Sequence, residues 1–170
     1  MFKTWLHTDL HFYHRALIEE LAARPWYYQE AIIRNWWDMI SPDDLVFILG
    51  DLALNYKPSE LSRLLKGLPG RKGLVRGNHD HEKDEWYLEN GFDFVCQSMV
   101  YKNVLLTHAP ASVLPGNAVI NVHGHLHNDS HRKAGYNLQP WHRLLAIEET
   151  DYKPVLWTEF CGPEPLISLT

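Results

Sequence analysis

Leu45-Val46-Phe47-Ile48-Leu49-Gly50-Asp51 is the stretch on which the fold turns. A continuous apolar run of this kind predicts a strand buried on both faces, as in the parallel sheets of α/β proteins. The run stops abruptly at a glycine and a carboxylate. In open α/β sheets, ligands bind just beyond the carboxyl ends of strands, so Asp51 stands where such a site would be built.

The same punctuation recurs along the chain. Phe2 to His7 has β character and leads into Asp9-Leu10-His11. Gly73 to Arg76 is stopped by Gly77-Asn78-His79-Asp80. Val104 to Thr107 precedes His108, and Val119 to Val122 precedes His123-Gly124-His125-Leu126-His127. Five loops would then deliver polar residues to one rim, from residue 9 to residue 127. In Asp-x-His and His-x-His, residues i and i+2 share one side of an extended chain. The glycines before Asp51, Asn78 and His125 permit sharp turns and close backbone approach.

Between these strands the sequence predicts helices. His14 to Ala23 opens one that Pro25 breaks. Tyr28 to Ile40 places Ile32, Ile33, Trp36, Trp37 and Ile40 at helical spacing. Pro58 suits the first turn of a helix to about Lys66, and Glu82 to Glu89 forms another, stopped at Asn90-Gly91. Phe92 to Cys96 and Met99 to Tyr101 read as strands, with Lys102-Asn103 as a hairpin turn before Val104. Leu144 to Ile147 is the expected final core strand. Strands alternate with helices early and cluster late, which predicts a layered α/β domain spanning residues 1–170, with a mixed sheet or a sandwich.

The 170 residues carry a net charge of −5, 45% hydrophobic and 22% charged residues, ordinary for a globular domain. That balance argues against a non-specific DNA binder with a basic footprint. Cys96 and Cys161 form no Cys-x-x-Cys, which argues against a sulfur-rich zinc site, and a reduced cytoplasmic setting is expected. No apolar stretch is long enough for a membrane span, and the N-terminus has no cleavage signal.

The 11 histidines are unusually many, and several of them fall in these blocks. Asp9, His11, Asp51, Asn78, His108, His125 and His127 offer carboxylate, imidazole and amide oxygen, a set suited to Mn²⁺, Fe²⁺, Co²⁺, Ni²⁺ or Zn²⁺ and too rich in nitrogen for a Ca²⁺ or Mg²⁺ cage. Seven ligands exceed one tetrahedral site and fit two metals sharing a carboxylate.

In this order and spacing the five blocks resemble the calcineurin-like metallophosphoesterases. Asp9-x-His11-Phe12 with His14, and Arg24-Pro25 before a Trp-rich segment, are similar to a small single-domain branch found in bacteria and their phages. The resemblance implies a four-layer αββα sandwich with two mixed sheets and a metal site at the carboxyl ends of strands. It implies that Asp9, His11 and His127 hold a first metal, that Asn78, His108 and His125 hold a second, and that Asp51 bridges them. A bridging hydroxide would attack phosphorus in line, with His79 as general acid or charge donor and Asp80 orienting it. Mn²⁺ is the first expectation for both metals. The chain departs from the family after Gly50-Asp51: Asn55 is offset from the position where many members carry a further Asp or Asn.

His14, Arg76 and His123 are candidate substrate contacts. His7, His81, His131 and His142 read as ordinary hydrogen-bonded residues. The aromatic stripe of 28–40 reads as core packing, with Trp26 to Tyr28 as groove candidates, and Arg63, Lys66, Arg71, Lys72 and Arg76 read as a solvated face. The expected function is a phosphodiesterase or broad phosphoesterase whose substrate includes nucleotides or nucleic acid. A phosphomonoesterase acting on nucleotides or phosphoproteins is the alternative. A non-catalytic scaffold of the same fold ranks last, because all seven ligand positions and His79 are present.

Overall fold

The computed structural model describes residues 2–19, 23–129 and 133–162. The 45–49 run forms strand β2 (Leu45–Ile48), the centre of a five-stranded sheet. It pairs in parallel with β1 (Thr4–His7) on one side and β3 (Arg71–Val75) on the other. Outside these lie β4 (Phe94–Cys96), parallel to β3, and β9 (Val155–Leu156), antiparallel to β1. A second sheet has the order β5 (Ser98–Tyr101), β6 (Val104–Thr107), β7 (Ile120–His123) and β8 (His142–Leu144). It begins antiparallel and continues parallel, so both sheets are mixed.

The apolar run is explained by the two layers it separates. Val46 and Ile48 point to one core, where Ile32, Trp36 and Ile40 pack from the α2 segment (helix Tyr28–Met39), Leu61 and Leu65 from α3 (Pro58–Gly67) and Tyr87 from α4 (Asp84–Glu89). Phe47 and Leu49 point the other way, onto Leu106 and Val122 of the second sheet and Trp157 of α5 (Trp157–Phe160). Among the described residues the layer order is therefore helices, sheet, sheet. The outer face of the second sheet carries Asn121 and His142, which meet the 109–112 segment through Ala111.

The predicted hairpin is present. Lys102 and Asn103 both take left-handed φ, 46° and 64°, the type I′ geometry that matches strand twist. Of the predicted 14–23 helix, α1 (Ala16–Glu19) is described, and residues 20–22 lie outside the described residues. The final strand is a correction: β8 is His142–Leu144, and Ile147 instead opens a 3-10 turn, Ile147–Thr150. Leu145, Ala146 and Ile147 are buried in sequence, which gave the segment its strand-like reading. β9 and α5 were not expected, being short and weakly patterned.

Two further residues depart from expectation. Lys72 is buried rather than solvated, its Nζ donating to the carbonyls of Leu68 and Gly70. Tyr28 is fully buried and donates to the carbonyl of His11 at 2.5 Å, so it supports a site loop instead of lining a groove. Trp36 packs in the core, while Trp26, Tyr27 and Trp37 are exposed. No helix among the described residues is long and apolar enough to cross a membrane.

Candidate metal centre

The strands β1, β2, β3, β6 and β7 end on one rim, and their loops turn sharply. Asp9, His11, Asp51, His125 and His127 all adopt positive φ, between 46° and 66°. This left-handed region is uncommon for residues other than glycine, though Asp, Asn and His tolerate it best, and strained residues cluster where function needs them. Asp9 with His11, and His125 with His127, were expected to share one side of an extended chain, but all four take left-handed φ. Asp9 and His11 are brought together by successive left-handed turns, not by an extended strand.

Three glycines permit the crowding. A Cβ on Gly50 would lie 2.6 Å from His108 Nδ1, one on Gly77 would lie 2.2 Å from Asp51 Oδ1, and one on Gly124 would lie 2.0 Å from Thr8 Oγ1 and 2.2 Å from Asp9 Oδ2. No side chain fits at these three positions without moving a site residue.

Two groups of ligating atoms result. Asp9, His11 and His127 form one, and Asp51, His108 and His125 form the other, with the atoms of each group within 4.8 Å of one another. In the first group, Asp9 Oδ2 accepts from Thr8 Oγ1 at 2.6 Å and from the His125 amide at 3.0 Å. Its other oxygen lies 3.6 Å from His127 Nε2 and 4.0 Å from His11 Nε2. In the second, His108 Nδ1 is 2.8 Å from the Leu49 carbonyl, an acceptor, so that nitrogen carries the proton. His108 Nε2 then presents a lone pair to Asn78 Oδ1 at 3.0 Å. His125 Nδ1 lies 3.0 Å from the same His108 nitrogen, so an imidazole and an amide converge on His108 Nε2, a donor set that suits a divalent cation.

Asp51 lies between the groups. Its Oδ2 is 3.6 Å from His11 Nε2 and its Oδ1 is 3.5 Å from His108 Nε2. Burial, with the Arg24 charge, holds the His11 pKa far below its ordinary value, so the ring stays neutral with a nitrogen lone pair to offer.

A family model for calcineurin-like phosphoesterases matches residues 2–168. The chain belongs to that family. As a calcineurin-like phosphoesterase it is a metal-dependent phosphoester hydrolase. An uncharacterized protein of Methanocaldococcus jannaschii is 32% identical over 166 residues, covering 91% of this chain and 87% of that protein. The gene 66 protein of Mycobacterium phage L5 is 25% identical, covering 88% of this chain and 92% of the phage protein. Among solved structures, a protein of unknown function from Aquifex aeolicus superposes with a TM-score of 0.71 at 26% identity, covering 94% of this chain and 97% of that chain.

The remaining candidates of this phosphoesterase are placed as follows. His79 is one-third exposed, its Nε2 4.0 Å from Asp51 Oδ2, and its amide donates to Asp51 Oδ1 at 2.9 Å. Asp80 is buried, and its carboxylate accepts the amides of Gly77, Asp51 and Leu52 at 2.7–2.9 Å. It thus ties two ligand loops together, and burial raises its pKa despite those three bonds. Asp80→Asn keeps the shape but turns an amide donor toward a backbone donor. We expect a loss of about 2 kcal/mol, read by urea unfolding; an unchanged midpoint would remove Asp80 from the loop clamp.

His14 sits at the rim, its Nδ1 3.3 Å from His11 Nδ1 and its ring 6.3 Å from that of His79. Arg76 pairs with Asp84 and donates to the carbonyls of Asp80 and Glu82 at 2.6 Å. It also lines a groove of about 470 Å³ beside the centre, with Asn78, His108, His125 and Tyr136. His123 is corrected: the pleat turns Val122 into the inter-sheet core and His123 to the other face, where it is fully buried against His142. Burial holds its pKa down to about 4, and it presents no surface to a phosphate. His7 is likewise buried, stacked on Trp36, and His131 lies outside the described residues.

Two residues beside the centre, Arg24 and Glu148, were given no site role from the sequence. Glu148 Oε1 is 2.8 Å from His127 Nδ1, and Arg24 pairs with the same oxygen at 2.7 Å. Burial works to raise the Glu148 pKa, but the His127 hydrogen bond and the Arg24 charge outweigh it and hold the carboxyl at about 2. Arg24-Pro25 was a visible signal; nothing in Glu148-Glu149 separates a structural glutamate from a solvated one.

Proposed function

We propose that this chain hydrolyses phosphodiesters, or phosphoesters broadly, as a single domain over residues 1–170 with a dinuclear divalent centre, Mn²⁺ being the first candidate. Asp9, His11 and His127 hold one ion, Asn78, His108 and His125 the other, and Asp51 is shared. The observation that carries this reading is the placement of the two Asp51 oxygens, one toward each histidine group. When bound there, two divalent cations would supply the water activation and charge neutralisation that in-line displacement at phosphorus requires.

The chain's own residues do the rest. His79, on the open side of Asp51, stands where a proton can pass to a leaving oxygen or where charge on phosphoryl oxygens can be met. Its backbone is held by Asp51 and its loop by Asp80. His14 faces the same opening as a contact for phosphate. The groove at Arg76 and Tyr136 is open to solvent, which supports a substrate carrying groups on both sides of phosphorus, as in diesters, nucleotides or nucleic acid.

The test is hydrolysis of bis- and mono-(p-nitrophenyl) phosphate with added Mn²⁺. The diester is expected to be preferred, and preference for the monoester would make this a phosphomonoesterase. Protein that binds no transition metal and hydrolyses neither would be a scaffold of the same fold. His79→Asn is expected to lower kcat by about 10² with manganese content unchanged; an unaltered kcat would remove His79 from the chemistry.

A further inference from the structure

Arg24 and Glu148 form an ion pair whose position asks for more than stability. The Arg24 side chain is wholly enclosed and that of Glu148 is 9% exposed. Burying two charges costs about as much as their attraction returns, so such a pair is weak evidence for a stabilising role. Both partners, however, meet one atom. His127 Nδ1 lies 2.8 Å from Glu148 Oε1 and 3.2 Å from Arg24 Nη2.

A carboxylate only accepts and a guanidinium only donates, so the two neighbours ask for opposite tautomers. A proton on Nδ1 satisfies Glu148 and leaves a lone pair on Nε2, which faces Asp9 Oδ1 at 3.6 Å. A lone pair on Nδ1 would satisfy Arg24 and move the proton to Nε2, where it would exclude a cation.

We infer that Glu148 is the positioning residue of the Asp9–His11–His127 site: it keeps the His127 proton on Nδ1 against the competing donor Arg24, so that Nε2 remains a ligand. The inference rests on the metal-centre reading proposed above. Arg24 is itself fixed, with its guanidinium 5.1 Å from the Tyr28 ring and its Nε 3.0 Å from the same Glu148 oxygen. It therefore holds the carboxylate in place while the carboxylate selects the tautomer. The turn that presents Glu148 is anchored by buried Ala146 and Ile147, and Asn35 Nδ2 donates to the carbonyls of Asp151 and Tyr152 just beyond it. A carboxylate behind a ligating histidine orients the ring and raises its basicity, and losing one commonly weakens metal binding 10- to 100-fold.

The experiment is ¹⁵N NMR of the histidine side chains in metal-free full-length protein, followed by manganese titration. Wild type should carry the His127 proton on Nδ1. Glu148→Ala should move it to Nε2 and weaken the first manganese equivalent by about 10- to 100-fold. Glu148→Gln, whose amide oxygen still accepts, should keep the Nδ1 proton and most of the affinity. A wild-type proton on Nε2 would overturn the inference without any variant having to fold. So would an Nδ1 proton retained in Glu148→Ala. Wild-type protein with the Nδ1 proton that takes up no manganese would instead overturn the metal-centre reading, and with it the ligand role of Nε2.

Discussion

Asp51→Asn is expected to lower phosphoester hydrolysis by roughly 10³-fold or more, the scale set by removing several kcal/mol of metal-based stabilisation. The amide keeps one oxygen but no charge, so both histidine groups lose the negative charge beside them and one also loses its oxygen neighbour. The oxygen can still accept the His79 amide that Asp51 Oδ1 accepts at 2.9 Å, so the loop and the fold are expected to stand. Circular dichroism and thermal unfolding should therefore match wild type while activity vanishes. Near wild-type turnover in manganese-replete buffer would sink the shared-carboxylate assignment.

Gly124→Ala is expected to damage both stability and rate. Its new Cβ would lie 2.0 Å from Thr8 Oγ1 and 2.2 Å from Asp9 Oδ2. Thr8 is itself bonded to Asp9 at 2.6 Å, so relief of the overlap displaces a ligand and its support together. Overpacking of this kind costs about 1–3 kcal/mol, and a shift of about 1 Å at a catalytic constellation can cost roughly 10² in rate. Gly67 provides the contrast, since a Cβ there meets nothing within 4 Å. Gly67→Ala should leave activity unchanged and raise stability by about 0.5 kcal/mol. Equal behaviour of the two variants, in melting temperature and kcat, would show that close backbone approach at Gly124 is unimportant.

Much of this was legible in the sequence, because apolar runs and their stops are local signals. The 45–49 run gave a central strand by its lack of polar alternation, and Lys102-Asn103 gave its hairpin by turn chemistry. Each candidate ligand block was visible because it lies within a few residues of a strand end. What the sequence did not yield depended on tertiary contact. Glu148 reaches His127 from a 3-10 turn that starts where the expected 144–147 strand was to end, and it pairs with Arg24 across 124 positions. Nothing near it in sequence marks it apart. His123 was drawn toward the site by its neighbours in the chain, whereas the pleat of β7 turns it to the opposite face. Asp80 was read as the partner of the adjacent His79, but its carboxylate is occupied by three backbone amides of two loops.

The most direct test of the central claim is anomalous diffraction from manganese-loaded crystals of the wild-type protein. Two peaks about 3.5–4 Å apart are expected, one among Asp9, His11 and His127, the other among Asn78, His108 and His125, with the Asp51 carboxylate between them. A single peak, or two peaks that do not share Asp51, would contradict it.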